Sequence, residues 1–345
     1  MSLFDTPFIA APMAGGTSTP ALVQAVQAGG GLGFLAAGYK SPESMTAEIV
    51  AARAAGIRFG MNVFVPDPVQ LSPGPDARAR LESYRTELES EAARYGASVP
   101  AVRFDDDDAW RDKIDALLAD PVEFVSFAFG LPGKSVVQAL QKAGTAVISS
   151  VTSVAEALAA AEEGPDAIAV QHTSAGGHTA AFLPAGTGAT GAQAAGTTAG
   201  LVAQVRGAVD LPLIAAGAIM DSSTLKEVLV AGAAAGQVGT ALVRTEESGA
   251  RQAHKDALGD PRFTETAMTR AFTGRSARSL VNEFVRDHRD APEGYPAIHH
   301  LTAPIRAAAS AAGDPERLNL WAGTGWKAAR NGSAENVVRD FLSGL

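Results

Sequence analysis

Short apolar runs separated by amphipathic stretches recur along most of the chain. The runs are Phe8–Met13, Leu32–Ala37, Phe59–Val65, Phe124–Phe129, Ala146–Val151, Ala167–Thr173, Leu211–Ala216 and Ala235–Leu242. Each has the length and near-continuous apolarity of a strand covered on both faces in a parallel sheet. Helical patterns lie between them. Thr19–Ala28 follows the first run, and Ser41-Pro42-Glu43 opens a helix after the second. One helix after the fourth run continues through Lys142. Thr152 and Ser153 cap the next, which ends at Gly164, and Ser222 opens another after the seventh run. Eight strands with helices between them are the number that closes a (β/α)8 TIM barrel. A doubly wound open sheet is the alternative. The closed form is favoured because chemistry-bearing residues fall on strand ends all round the chain instead of at one switch point.

Two segments break the alternation. Residues 67–121 carry a charged helical pattern from Asp76 to Tyr95, and residues 246–345 hold helices and loops with no clear strand. The predicted organisation is an α/β TIM barrel from residues 1–66 and 122–245. Residues 67–121 and 246–345 then form a smaller, mostly helical cap domain over the barrel mouth. The Gly/Ala/Thr stretch Ala185–Gly200 reads as a mobile loop.

Composition removes several chemistries. The 345 residues include no cysteine, so disulfides, thiolate metal sites, iron–sulfur clusters and a cysteine nucleophile are excluded. A net charge of −9 disfavours nucleic acid and anionic membranes as partners. Every apolar stretch is broken by Gly, Pro or charge within about 18 residues, and Met1–Pro7 has no signal-peptide pattern. A soluble, cytoplasmic protein is expected. A homodimer is allowed, and the sequence sets no oligomeric state. The run Asp105–Asp108 reads as a solvated helix start, where carboxylates favour the helix dipole, in preference to a cation site. No metal site is expected.

The candidate chemistry lies at the strand ends. In TIM barrels a phosphate often sits between the loops after the seventh and eighth strands. Here those loops begin Ala215-Ala216-Gly217-Ala218 and Gly236-Gln237-Val238-Gly239-Thr240. Glycines there let bare peptide N–H groups approach an anion, and Thr240 adds a hydroxyl. The first strand ends in Pro12-Met13-Ala14-Gly15-Gly16 after Ala11, and such small residues let backbone lie along a flat aromatic cofactor. Asn62 and Gln171 are neutral amides at strand ends that serve either such a ligand or the neighbouring backbone. The densest cluster is Gln171-His172-Thr173-Ser174-Ala175-Gly176-Gly177-His178. Gly176 and Gly177 can aim the His178 ring into the mouth, where an imidazole acts as general acid or base. His172 alternates with Gln171 and is expected to face away. His254 and His288 read as surface residues, His299-His300 as helix-entry packing, and Gly274-Arg275 as a surface turn.

The chain resembles the bacterial nitronate monooxygenases, formerly called 2-nitropropane dioxygenases. The matching pieces are Ala11-Pro12-Met13-Ala14-Gly15-Gly16, Gly31-Leu32-Gly33-Phe34, Met61-Asn62-Val63-Phe64, Ser174-Ala175-Gly176-Gly177-His178 and Gln237-Val238-Gly239-Thr240. Phe272-Thr273-Gly274-Arg275-Ser276-Ala277-Arg278, Tyr295-Pro296 and Trp321-Ala322-Gly323 extend the match to nearly the whole chain. The resemblance implies an FMN-dependent barrel that oxidises alkyl nitronates, or the parent nitroalkanes, with O2 to a carbonyl compound and nitrite. It implies FMN contacts from Asn62, Gln171, Gly176, Gly217 and Gln237 to Thr240, and an active-site role for His178. Family members often have Gly at His172, Glu at Ser174 and Arg at Thr179. Alternatives are an FMN-dependent enoyl-acyl carrier protein reductase using NAD(P)H and a non-catalytic flavin- or phosphate-binding barrel. An inosine monophosphate dehydrogenase would need the cysteine this chain lacks.

Overall fold

The computed structural model describes residues 3–184 and 196–345. Eleven strands are assigned among them: β1 (Phe8–Ala10), β2 (Leu32–Ala36), β3 (Phe59–Phe64), β4 (Phe124–Ala128), β5 (Ala146–Val151), β6 (Ala167–Gln171), β7 (Gly177–His178), β8 (Leu213–Ala216), β9 (Ala235–Val238), β10 (Thr266–Thr269) and β11 (Ala277–Leu280). Eight of them close a parallel barrel in the order β1-β2-β3-β4-β5-β6-β8-β9. The ring is completed where Phe8, Ile9 and Ala10 pair with Gly236, Gln237 and Val238. The fold is a (β/α)8 TIM barrel. Six of the eight barrel strands stop one to four residues short of their apolar runs, β5 matches its run, and β8 begins two residues into its own. In the last run, Thr240–Leu242 is already a 3-10 turn.

The barrel interior is filled from below. Phe4, Ile9, Phe34, Phe124, Ile148 and Ile214 share one buried cluster, and the Phe4 and Phe124 rings lie 5.6 Å apart. Outside the strands, Leu22, Val170, Leu201, Leu225 and Val238 belong to one helix-facing cluster, and Val63, Val125 and Val137 to another. With the interior packed, free space is confined to the rim.

The two irregular segments both interrupt a strand–helix unit. Between β3 and its barrel helix Trp110–Ala119 runs the long helix Pro75–Ala93. Between β9 and its barrel helix Ala334–Ser343 run β10, β11 and the helix Ala297–Ala311. The two returning helices therefore pack on the barrel, although they fall within residues 67–121 and 246–345. Ile114 and Leu117 join the barrel cluster containing Met45 and Ile49, and Phe341 meets Phe8 edge-on at 5.1 Å. The remaining parts share a core of their own: Leu81, Tyr84 and Leu88 with Phe272, Phe284, Ile298, Leu301 and Ile305.

The C-terminal segment also departs from the strand-free expectation. β10, β11 and β7 form a three-stranded antiparallel sheet. Of the loop expected over Ala185–Gly200, residues 185–195 lie outside the described residues, and Thr198 already begins a helix capped by Thr197. Among the described residues no helix is long and apolar enough to cross a membrane.

Gly60 tests the packing of the barrel floor. A Cβ on this β3 residue would stand 2.2 Å from the Phe34 ring. Overpacking of this kind costs about 1–3 kcal/mol. Gly60→Ala is expected to lower the denaturant midpoint accordingly. An unchanged midpoint would show that the ring yields freely.

Candidate active site

A single cavity at the C-terminal ends of the barrel strands gathers nearly every residue singled out from the sequence. Ala11, Pro12, Met13 and Ala14 line it after β1, Asn62 at β3, and Gln171, Gly176, Gly177 and His178 at and after β6. Ala216 and Gly217 line it after β8, and Gln237, Gly239 and Thr240 after β9. Val238 is the exception. Its side chain turns into the core between strands and helices, and only its carbonyl serves the rim, accepting Ala11 N–H at 2.8 Å.

The loops after β6, β8 and β9 meet almost without intervening side chains. Gly217 has φ 129°, and a Cβ there would lie 2.7 Å from Ser174 Oγ. A Cβ on Gly176 would lie 2.6 Å from Gly323 N. Gly323 N in turn donates to Thr240 Oγ1 at 3.0 Å. That contact occupies a lone pair of Thr240 and leaves its proton to donate. The result is a cradle walled by peptide groups and a hydroxyl, with no carboxylate. These are the donors a phosphate monoester needs, so the residues present fit a phosphorylated flavin. Among the described residues five non-glycines have positive φ, and three of them, Tyr39, Phe129 and Ala218, also line this cavity. Backbone strain is thus concentrated where a ligand would be held.

The two amides are partly committed. Asn62 Nδ2 donates to Ser126 O at 3.1 Å and Ser126 Oγ at 3.0 Å, so its carbonyl end remains for the cavity. Gln171 donates to His178 O at 3.0 Å and accepts Ala180 N–H at 2.7 Å. It braces the loop that carries His178.

His178 is positioned by pairing, not by glycine flexibility alone. Gly177 and His178 form β7, opposite Arg278 and Ala277 of β11. Nε2 lies 2.9 Å from Thr273 Oγ1, whose hydroxyl reaches Arg275 O at 3.3 Å. That direction fits an Nε2–H donor and leaves Nδ1 as the basic nitrogen. The ring stands 5.2 Å from Trp321 and 5.6 Å from Phe129. Burial, reinforced by Arg275 and Arg306, pulls its pKa down to about 3. The imidazole is neutral at physiological pH.

Several residues of the site escaped the sequence reading. Tyr39, His299, Arg306, Asn319 and Trp321 line the cavity. The His299 ring stacks on Tyr39 at 4.1 Å with 3° between planes, so it does more than pack at a helix entry. His300 reaches Asp106 at 2.6 Å. His254 and His288 are buried, not on the surface, and His254 faces the cavity. The Gly274-Arg275 turn is internal. Arg275 donates to Thr179 O and Ala181 O and lies 4.0 Å above the Phe129 ring. The acidic run is only in part a solvated helix start: Asp105 and Asp107 are exposed ahead of the helix Trp110–Ala119, while Asp106 and Asp108 turn inward. Asp108 sits 2.8 Å from the fully buried Lys113, and burial raises its pKa to about 6. His172 is buried outside the cavity lining. It and Ser174, two departures from the family pattern, touch each other at 2.8 Å.

Comparison with known proteins decides the family. The nitronate monooxygenase family model matches residues 2–344. A probable nitronate monooxygenase of Staphylococcus aureus (strain MSSA476) is 34% identical over 99% of this chain and 95% of its own length. The chain belongs to the nitronate monooxygenase family. It is an enzyme, an oxidoreductase of a flavin-dependent class. The crystal structure of nitroalkane oxidase from Streptomyces ansochromogenes superimposes with a TM-score of 0.91 at 44% identity, covering 99% of this chain and 96% of that one. FabK from Thermotoga maritima shares the fold, with a TM-score of 0.73 at 24% identity over 98% of this chain and 92% of that one.

The His178 environment has a pH consequence. Its pKa falls from 6.5 to about 3 on folding. Between these values the unfolded chain binds more protons than the folded one, so stability drops as pH falls through this window. His178→Gln should reduce the loss of Tm between pH 7 and pH 4.5. An equal loss in variant and wild type would contradict the assignment.

Proposed function

We propose that the chain binds FMN at the barrel rim and oxidises alkyl nitronates with O2 to a carbonyl compound and nitrite. The observation that carries this reading is the make-up of the cavity. A peptide-walled anion cradle, a neutral imidazole and two guanidiniums, Arg251 and Arg306, share one space with no carboxylate lining it among the described residues. The phosphate would be held by the loops at Gly217–Ala218 and Gly239–Thr240. The flat ring system would lie against Ala11–Ala14 and Gly176–Gly177, with Asn62 and Gln237 at its polar edge. Bound there, the flavin supplies the electron acceptor. The segments around Pro75–Ala93 and Ala297–Ala311 act as the cap that separates this space from water.

The protein's own groups favour the anion over the neutral nitroalkane. A base works best when its pKa lies near the working pH, and His178 lies well below it. Nδ1 can take an α-proton from a nitroalkane, but weakly. A substrate already ionised asks only to be positioned and dehydrated by His178, Trp321 and their neighbours.

Flavin extracted from the purified protein should be FMN, and anaerobic addition of propyl-2-nitronate should bleach its absorbance. Bleaching by NADPH and not by the nitronate would instead identify a reductase. His178→Ala should retain flavin while kcat/KM for the nitronate falls by roughly 10²-fold, the lower end of acid–base contributions. Unchanged kinetics would remove His178 from the reaction.

A further inference from the structure

Arg306 is a buried cation without a counter-ion. It lies in the helix Ala297–Ala311 and lines the cavity, with 7% of its surface exposed. Its guanidinium meets only uncharged groups. Nε donates to Thr302 Oγ1 at 3.1 Å, Nη1 to Asn319 Oδ1 at 3.4 Å and Nη2 to His299 O at 3.0 Å, with His299 Nδ1 at 3.3 Å. Arg317, which is also buried, shows the usual solution. It pairs with Glu91 at 2.6 Å and Glu283 at 2.9 Å. No carboxylate forms such a pair with Arg306 among the described residues. Arg275, a half-buried guanidinium, is occupied by two carbonyls and the Phe129 face and is absent from the cavity lining. Burying an unpaired charge is costly, and a fold that keeps one facing a cavity is complete only when an anion arrives. The cost shows in its surroundings. Burial drags the Arg306 pKa down to about 10, and its charge helps to depress both His178 and His299.

Resting on the function proposed above, we infer that Arg306 seats the charged end of the substrate, its planar fork taking the two oxygens of the nitronate group. A nitronate carries its negative charge over two coplanar oxygens on one nitrogen, the same outline a carboxylate offers, which a guanidinium binds through two parallel N–H donors. Arg251 supplies the approach. It is exposed, lines the same cavity, and its Nη1 lies 3.5 Å from Arg306 O. In a protein of net charge −9, this local positive field draws anions to the mouth. Arg306 is therefore a residue that discriminates the nitronate from the neutral nitroalkane.

The test uses the flavin-loaded full chain and isobutyrate, an unreactive carboxylate with the outline of propyl-2-nitronate, against its neutral counterpart isobutyramide. In the wild type, isobutyrate should perturb the flavin spectrum and inhibit competitively, with a Kd at least tenfold below that of the amide. Equal binding of the two would overturn the proposal without any variant having to fold. Arg306→Met should raise both the isobutyrate Kd and the KM for propyl-2-nitronate about tenfold or more, with flavin affinity within twofold. Arg306→Lys, which keeps the charge but not the fork, should recover part of each. An Arg306→Met protein that binds isobutyrate as the wild type does would overturn the proposal. So would one whose main defect is loss of flavin, since the guanidinium would then serve the cofactor. A wild-type chain that turns over no nitronate would sink the proposed function, while the isobutyrate comparison would still decide whether Arg306 is an anion seat.

Discussion

The short pairing of Gly177–His178 with Ala277–Arg278 joins the barrel rim to the C-terminal segment. Without it, the loop after β6 would be an ordinary barrel loop ending in a histidine. With it, the imidazole has a strand's geometry and a hydroxyl partner on a separate part of the chain. The same junction is reinforced from several sides. Arg278 donates to Thr173 O at 2.8 Å, Thr179 N to Ser276 O at 2.9 Å and Thr324 N to Ser174 O at 2.9 Å. The absence of side chains at Gly176 and Gly323 lets these segments approach. A site built across two packed elements is held more closely than one on a free loop. The pairing of β7 with β11 is therefore the constraint from which the cavity's geometry follows.

Electrostatics inside the cavity runs against that of the whole molecule. The chain carries a net charge of −9, while the lining among the described residues has two guanidiniums, three histidines and no carboxylate. Removal from water strengthens each of these interactions and keeps His178 uncharged. The charge available to an anion is thus on arginine, and the imidazole is left free for contact and proton work. Burial keeps the imidazole neutral, and the charges of Arg275 and Arg306 add to that effect.

The barrel and the glycine loops at its rim were legible because their signals are local. An apolar run of strand length, a following glycine and a capping hydroxyl are each read within a few residues. The cap sheet was not legible. β10 is Thr-Ala-Met-Thr, β11 is Ala-Arg-Ser-Leu and β7 has two residues, too short and too polar for alternation to show. His254 was misplaced because its six-residue helix carries Lys255 and Asp256 beside it, and one turn cannot reveal which face is turned inward. Arg306 left a faint mark: it is the one charged residue between Ala297 and Gly313. That isolation shows it is enclosed, but its missing counter-ion and its outlook on the cavity exist only once helix and barrel are assembled.

The barrel's seam has a bearing on how the molecule comes into being. β1 pairs with β9, and the face of Phe8 is covered by Phe341 from the helix Ala334–Ser343. Gly29 and Gly31, between the helix Pro20–Ala28 and β2, lie directly under Val338. The first stave of the barrel is thus sheathed by a helix that follows the whole of the C-terminal irregular segment. Both contacts join residues far apart in sequence, so β1 lacks its edge partner until β9 is made and its outer cover until the helix Ala334–Ser343 is made. Until then, the growing chain depends on its surroundings to keep that strand from pairing elsewhere.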